Sequence, residues 1–104
     1  MAVYMISYDI KVKDSFEYQP LYEAIKGISG TWCHPLESVW FVDTTTLSAD
    51  DIMKKLRPLL TIRDKGGDTI IIRRCLKEGG GVYSKEAIDW ILDDRRTWLE
   101  PSVV

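Results

Sequence analysis

The chain has 104 residues, of which 45% are hydrophobic and 29% are charged. This length suits one domain with a single core, and the composition is that of an ordinary soluble protein. The net charge is −2 at pH 7, with a pI of about 5.3. The chain therefore lacks the excess of Lys and Arg on which tight non-specific binding to nucleic acid depends.

No run of the sequence approaches the roughly 18 apolar residues that a membrane helix needs. The apolar start of the chain is short and mixed with polar residues, which favours a strand over a signal peptide. The two cysteines, Cys33 and Cys75, are expected to be free thiols in a reducing compartment. We therefore expect a cytoplasmic protein with no membrane association.

The first half of the chain predicts a strand followed by a helix. Residues Ala2–Ile10 are rich in Val, Tyr and Ile, and large apolar groups fall on both alternating sets, so both faces of this strand should be covered. Pro20 suits the first turn of a helix, where its missing N–H costs nothing. One buried face of that helix is predicted from the spacing of Leu21, Ala24, Ile25 and Ile28.

The rest of the chain predicts three further strands, at Thr31–His34, Ser38–Thr44 and Thr69–Leu76. Between the last two, Ser48 and Asp51 nearly match a capping box, and Pro58 is expected to end that helix early. Ser84 is predicted to cap a last helix. The core positions of that helix are expected at Ala87, Ile88, Ile91 and Leu92.

The element order predicts an α+β fold of the ferredoxin-like type, a βαββαβ antiparallel sheet with an added C-terminal helix. Residues 1–78 are expected to form this ferredoxin-like domain. Residues 79–104 are expected to add a hinge, Gly79–Gly81, and the C-terminal helix to the same domain.

Three aspartates at strand ends are the main candidates for a chemical site. We expect strands one and three to lie side by side and parallel, with strand four antiparallel beside strand one. That arrangement would bring Asp9, Asp43 and Asp68 to one rim, with Asp9 and Asp43 on the same face. Mg²⁺ prefers carboxylate oxygens and supports phosphodiester hydrolysis. The alternative is that these aspartates only favour turns through their side-chain hydrogen bonds.

Aromatic and basic residues suggest further contacts. One of Trp40 and Phe41 must face away from the helices, either to stack on a base or, as the acidic pI favours, to fill a dimer interface. The lone His34 has no nucleophile or orienting partner in the sequence, which favours a structural role.

The candidate contacts to nucleic acid are Tyr8 and Lys11 beside Asp9, together with Arg73 and Arg74. The two arginines should point to opposite faces of strand four. At least one is a candidate to contact a phosphate or a partner's carboxylate, and ordinary ion pairs are the alternative.

The run Tyr4–Ile10, which contains Tyr-Asp near its end, resembles the first strand of the Cas2 proteins of CRISPR systems. Leu21–Lys26 and the segment with Trp32, His34 and Leu36–Thr44 resemble small bacterial and phage proteins often labelled "SinR family". The resemblance covers approximately residues 2–76. The chain differs from Cas2 in its acidic pI, in lacking an Arg- and Lys-rich first helix, and in its extra C-terminal helix, Ser84–Leu99.

The resemblance implies a ferredoxin-like homodimer in which each subunit contributes Asp9 to a metal across the two-fold axis. Asp9 is then the catalytic residue of a Mg²⁺-dependent nuclease, such as an endoribonuclease, that acts on RNA, DNA or nucleotides. Two alternatives stay open at this point. One is a non-catalytic protein-interaction or regulatory module with the same fold, and the other is a binder of small nucleotides at the dimer cleft.

Overall fold

The computed structural model describes residues 2–11, 19–62 and 66–99. The strands are β1 (Ala2–Asp9), β2 (Trp32–Leu36), β3 (Val39–Thr44) and β4 (Thr69–Arg74). The helices are α1 (Gln19–Lys26), α2 (Ala49–Leu56), which continues into a short 3-10 turn at Arg57–Leu59, and α3 (Lys85–Leu92). In these ranges no helix has the length and apolar character needed to cross a bilayer.

The four strands form one antiparallel sheet in the order β2-β3-β1-β4. This confirms an α+β fold in which β1 and β3 are neighbours and β4 runs antiparallel beside β1. The expectation that β1 and β3 are parallel is wrong, because Val3 lies opposite Asp43 and Ser7 opposite Val39. The physical reason is the tight β2–β3 turn: α1 returns the chain so that β2 follows the direction of β1, and the turn then reverses β3.

One face of the sheet, the helix-covered face, packs against α1 and α2. Side chains alternate along a strand and recur every three to four residues along a helix, so each element buries one set. The sheet contributes Tyr4, Ile6, Tyr8, Trp40 and Val42, and the helices contribute Leu21, Ile25, Ile52 and Leu56. Trp40 is 1% exposed, and it is the largest fully buried side chain of this core.

The opposite face, here called the second face, carries Val3, Met5, Ser7 and Asp9 from β1 and Val39, Phe41 and Asp43 from β3. Phe41 is the strand-three aromatic that faces away from α1 and α2. Its ring centroid lies 6.4 Å from that of Trp90 and 6.2 Å from that of Trp98. The C-terminal helix and the segment after it therefore cover part of the sheet of their own chain, and Phe41 is not left for a partner chain to cover.

The cover on the second face is partial. Leu99 donates its N–H to the Cys75 carbonyl, at 2.9 Å, and forms a parallel bridge with Leu76. Over β1 and β4 the face stays open, and Ile71 is 58% exposed. We expected both faces of strand one to be covered. On the second face this is true at Val3, which is 0% exposed, but not at Asp9, which is exposed.

The prediction for the last helix needs two corrections. The helix ends at Leu92 instead of Leu99, because Asp93 leaves the helical conformation and its N–H bonds the Trp90 carbonyl. Two of its expected core positions are on the surface, since Ile88 is 37% and Leu92 68% exposed. The packing is made instead by Ala87, which is buried, and by indole rings that reach further than aliphatic side chains.

The capping box of α2 gives a direct test of how local sequence stabilises the fold. The Asp51 N–H donates to Ser48 Oγ at 3.1 Å, and the Ser48 N–H donates to Asp51 Oδ2 at 3.0 Å. Ser48→Ala should lower the free energy of unfolding by about 1 kcal/mol, measured by urea denaturation, because an N-terminal donor loses its acceptor. Thr46→Ala, an exposed hydroxyl outside the cap, should change it by less than about 0.5 kcal/mol. Equal effects of both variants would contradict the role of the box.

Candidate functional site

Asp9 and Asp68 lie together where β1 ends and β4 begins. Lys11 joins them: its Nζ donates to Asp9 Oδ2 at 2.7 Å, and its backbone N–H donates to Asp68 Oδ1 at 2.9 Å. The hydrogen bond to Asp9, with the charge of that carboxylate, raises the pKa of Lys11. The expected meeting of two aspartates at one rim is therefore present, with a lysine between them.

Asp68 has a structural task at this rim. Its second oxygen, Oδ2, accepts the N–H of Thr61 at 2.8 Å, so both oxygens receive backbone donors. This is the pattern by which aspartates stabilise turns and loops. Asp9, whose side chain is 66% exposed, has only Lys11 as an ion-pair partner among the described residues and is the more accessible carboxylate.

Asp43 is not at this rim. It shares the second face with Asp9, as expected, but it lies opposite Val3 at the other end of β1. Asp9 is six residue steps along β1 from Val3, which places the two carboxylates about 20 Å apart at roughly 3.3 Å per residue. A single metal ion cannot bind both within one chain, and the expected three-aspartate rim is wrong because β1 and β3 are antiparallel.

Asp43 is instead the anchor of the C-terminal segment. It is 8% exposed, and the Thr97 hydroxyl donates to its Oδ1 while the Thr97 N–H donates to its Oδ2 at 2.9 Å. The main chain of Asp43 is also held, because its carbonyl accepts from Ser29 Oγ at 2.6 Å and its N–H donates to the Thr31 carbonyl at 2.8 Å. No spacing in the sequence links Thr97 to Asp43.

A cleft of about 350 Å³ lies beside Asp9, lined by Tyr8, Asp9, Ile10, Glu37 and Ser38. It brings a second acidic residue, Glu37, to the edge of the same cleft. Glu37 belongs to the β2–β3 turn, and no sequence pattern singles it out, since a glutamate in a turn is ordinarily solvated. The cleft therefore combines two sequence-predicted residues, Tyr8 and Asp9, with one that sequence reasoning missed, Glu37.

Tyr8 and its neighbours hold this turn in place. The Tyr8 hydroxyl donates to the Glu37 carbonyl at 2.8 Å and accepts from Trp40 Nε1 at 3.1 Å. His34 Nε2 lies 3.0 Å from the same carbonyl, and its ring stacks on Trp40 with centroids 4.0 Å apart. Because a carbonyl only accepts, His34 Nε2 carries a proton. Tyr8 is 6% exposed, so it supports the rim and offers almost no ring surface to a base.

Arg73 and Arg74 lie on opposite faces of β4, as predicted from the alternation of a strand. Arg73 pairs with Met5 and so lies on the second face, and Arg74 pairs with Tyr4. Both are exposed. Arg73 is four residues along the sheet from Asp9, about 13 Å at the rise of a strand, so a bound strand of nucleic acid can reach both.

The cysteines are free thiols, as expected, and neither is activated. Burial raises the pKa of Cys33 to about 11, and burial also raises the pKa of Cys75. The thiolate is the reactive form of cysteine. Both thiols are therefore protonated at neutral pH, which argues against thiol chemistry in this fold.

The carboxylates fit a metal only in part. Within residues 2–11, 19–62 and 66–99, no group of three or more His, Cys, Asp or Glu side chains could hold a metal ion. Mg²⁺ often binds through one or two protein carboxylates and completes its shell with water and phosphate. Asp9 can serve as such a ligand if a second copy of the chain or a phosphate supplies the rest.

Comparison with known proteins returns no match. No family model matches the chain, and no curated protein and no solved structure matches it. What the chain does must therefore be argued from the positions and chemistry of its own residues.

The Asp43–Thr97 contact predicts a measurable cost on its removal. Thr97→Val keeps the shape of the side chain and leaves a buried carboxylate oxygen without its hydroxyl donor. The free energy of unfolding should fall by about 1–3 kcal/mol, the cost of an unsatisfied buried acceptor. The matched control is Thr45→Val, an exposed threonine near the same end of β3, which should change stability by less than about 0.5 kcal/mol. Urea denaturation of both variants decides the matter, and a neutral Thr97→Val would refute the anchor.

Proposed function

We propose that the chain is a ferredoxin-like, Cas2-like homodimer that acts on nucleic acid or nucleotides. In this proposal it is a Mg²⁺-dependent nuclease, with Asp9 as the metal-binding carboxylate of each subunit. The strand order β2-β3-β1-β4, with α1 and α2 packed on the same face, supports the ferredoxin-like assignment. The observation that carries the proposal is the position of Asp9, exposed at the end of a central strand on the open part of the second face.

The dimer is supported by that open part of the sheet. Ile71 lies opposite Ser7 in the register, and it is 58% exposed on an otherwise structured surface. A sheet face that stays open over two strands, with an exposed aliphatic side chain on it, favours coverage by a partner. A second copy that covers Ile71 across a two-fold axis on this part of the face would bring the two β1 ends, and so the two Asp9 side chains, towards each other.

The residues around Asp9 suit phosphate chemistry. A bound Mg²⁺ supplies an activated water and neutralises the charge that develops on the phosphoryl oxygens. Lys11, which pairs with Asp9 when no metal is bound, is a cation on a flexible side chain that can turn to a phosphate. Arg73 on the same face offers a second phosphate contact.

One observation favours a second candidate, a non-catalytic interaction or regulatory module with the same fold. The ion pair between Lys11 and Asp9, at 2.7 Å, already gives one carboxylate oxygen a cationic partner without a metal. If that pair persists in the presence of Mg²⁺, Asp9 binds no metal and the pair has a structural role at the end of β1. Metal-dependent cleavage separates the two candidates.

The dimer predicts a mass in solution. By light scattering at micromolar concentration, the wild-type protein should have twice the mass of one chain. Ile71→Glu should reduce it to a monomer, because a charge would be buried in the interface. Ile62→Glu is the matched control, since Ile62 is 56% exposed and lies outside the sheet, and it should remain dimeric. A monomeric wild-type protein would end the dimer proposal.

The nuclease predicts a specific loss of activity. With Mg²⁺ or Mn²⁺, purified protein should cleave single-stranded RNA, DNA or nucleotides, and EDTA should abolish cleavage. Asp9→Asn should lower the rate by about 100-fold or more, because the charge that holds the metal is removed. Asp50→Asn is the control: Asp50 is 73% exposed and pairs with Lys54 at 3.0 Å, much as Asp9 pairs with Lys11. Cleavage that persists in Asp9→Asn would show that the assigned site is wrong, and no cleavage of any substrate would favour the non-catalytic module.

A further inference from the structure

A second cavity lies on the second face, between the end of β4 and the C-terminal helix α3. Its volume is about 520 Å³, against about 350 Å³ for the cleft beside Asp9, and it is within the range of small-molecule sites. Four residue steps of β1 separate its nearest lining residue on that strand, Met5, from Asp9, a distance of about 13 Å. Most of its lining side chains are apolar: Met5, Phe41, Leu76, Ile91, Leu92 and Trp98.

The chain does not cover this apolar lining by itself. Leu92 is 68% exposed and Leu76 is 43% exposed, although both line the cavity. Beside them, Gly79 and Gly80 present only backbone, and a Cβ at either position would meet open space. Displacing water from apolar surface is favourable in proportion to the area that a ligand covers. The cavity therefore favours a ligand with an apolar body.

The aromatic rings of the lining favour an alkyl chain over a flat ring. The Phe41 ring already contacts the rings of Trp90 and Trp98, with centroids 6.4 and 6.2 Å away. The Trp90 and Trp98 rings also contact each other edge to face. Because these rings are engaged with one another, they offer no open pair of faces for stacking. Met5, an unbranched and adaptable side chain, suits contact with a flexible chain.

The charged residues of the lining select the head group of the ligand. Two cations, Arg74 and Lys77, stand against one anion, Glu78, so this region is locally positive in a chain whose net charge is −2. Lys77 is exposed and forms no ion pair with any residue that the structure describes. An anionic head group is therefore attracted to the cavity, and an ammonium group is repelled from it.

A buried donor in the lining also lacks an acceptor. The indole Nε1–H of Trp98 is buried and has no hydrogen-bond partner within the described part of the chain. In native proteins such donors are bonded to protein, to ordered water or to a ligand, because an unpaired one costs free energy. Trp98 lines the cavity, so an oxygen acceptor on a bound ligand would satisfy this donor.

We propose that this cavity binds a small aliphatic carboxylate, with its alkyl chain against Met5, Phe41 and Leu92 and its head group beside Lys77. A carboxylate offers about four acceptor sites, so one head group can accept from more than one donor of the lining. The inference goes beyond the proposed function, because it needs neither the dimer nor a metal at Asp9.

The first test compares ligands on the wild-type protein by calorimetry in EDTA, with each ligand below the concentration at which it aggregates. Decanoate should bind at least about tenfold more tightly than butyrate, which has the same head group and a shorter chain. It should also bind at least about threefold more tightly than decylamine, which has a cationic head group. In ¹⁵N spectra, decanoate should shift the indole N–H signal of Trp98.

Three results of this comparison would overturn the proposal. The first is an absence of binding at millimolar decanoate. The second is an affinity for butyrate or decylamine equal to that for decanoate, which would remove the argument from the chain or from the charge. The third is binding that leaves the Trp98 indole signal unmoved, which would place the ligand elsewhere on the protein.

A pair of variants in α3 then tests the position of the alkyl chain. Leu92→Trp should weaken decanoate binding at least about tenfold, because the larger side chain takes up space in the cavity. Since Leu92 is exposed, the fold should tolerate the change. The matched control is Ile88→Trp, because Ile88 is 37% exposed in the same helix and lies outside the lining. Equal affinities of the two variants for decanoate would contradict the assigned cavity.

A second pair tests the head group. Lys77→Gln should weaken decanoate binding about threefold and leave decanol unchanged, because only the contact with the charge is lost. The matched control is Lys85→Gln, a cation that is 89% exposed and outside the lining, and it should leave both ligands unchanged. A loss in Lys77→Gln that is equal for decanoate and decanol would contradict the assigned head-group contact. Because every titration is made in EDTA, its failure leaves the metal-dependent activity at Asp9 untouched.

Discussion

The buried carboxylate of Asp43 holds the C-terminal segment through both polar groups of Thr97. Together with the hydrogen bond from Leu99 to the Cys75 carbonyl, this contact places Trp98 beside Phe41 on the second face. The contact joins residues 54 positions apart in the chain, and it closes half of the sheet with the chain's own residues.

The direction of the strands decides where the aspartates at the strand ends lie. Because β1 and β3 are antiparallel, their aspartates face the same side of the sheet from opposite ends. One end carries an exposed carboxylate, Asp9, with a cation beside it and an open cleft. The other carries a sheltered carboxylate, Asp43, whose two oxygens accept hydrogen bonds from Thr97. An exposed carboxylate can exchange its partners with solvent and ligands, whereas a sheltered one whose oxygens are already bonded serves the fold.

Much of the fold could be predicted from the sequence, because the patterns that produced it are local. The alternation in β1, the apolar spacing in α1 and the Ser48–Asp51 cap each act within a few residues. The site could be predicted only at Asp9 and Asp68. Glu37 reaches the cleft through a turn conformation, and Thr97 reaches Asp43 through tertiary packing. The surface positions of Ile88 and Leu92 were missed for a similar reason, since two tryptophans from outside the helical stripe occupy the sheet.

Because the second face is only partly covered, the C-terminal helix should unfold more easily than the rest of the protein. Within α3 only Ala87 is buried, whereas α1 and α2 each bury two aliphatic side chains in a continuous core. Local stability follows the apolar contacts that a segment makes. We therefore expect the C-terminal helix to open as a separate cooperative unit, connected to β4 through Gly79–Gly81 and held to β3 by Thr97. Its release would bare Phe41 while the β1–α1–α2 core stays folded, so that one chain has two levels of native structure.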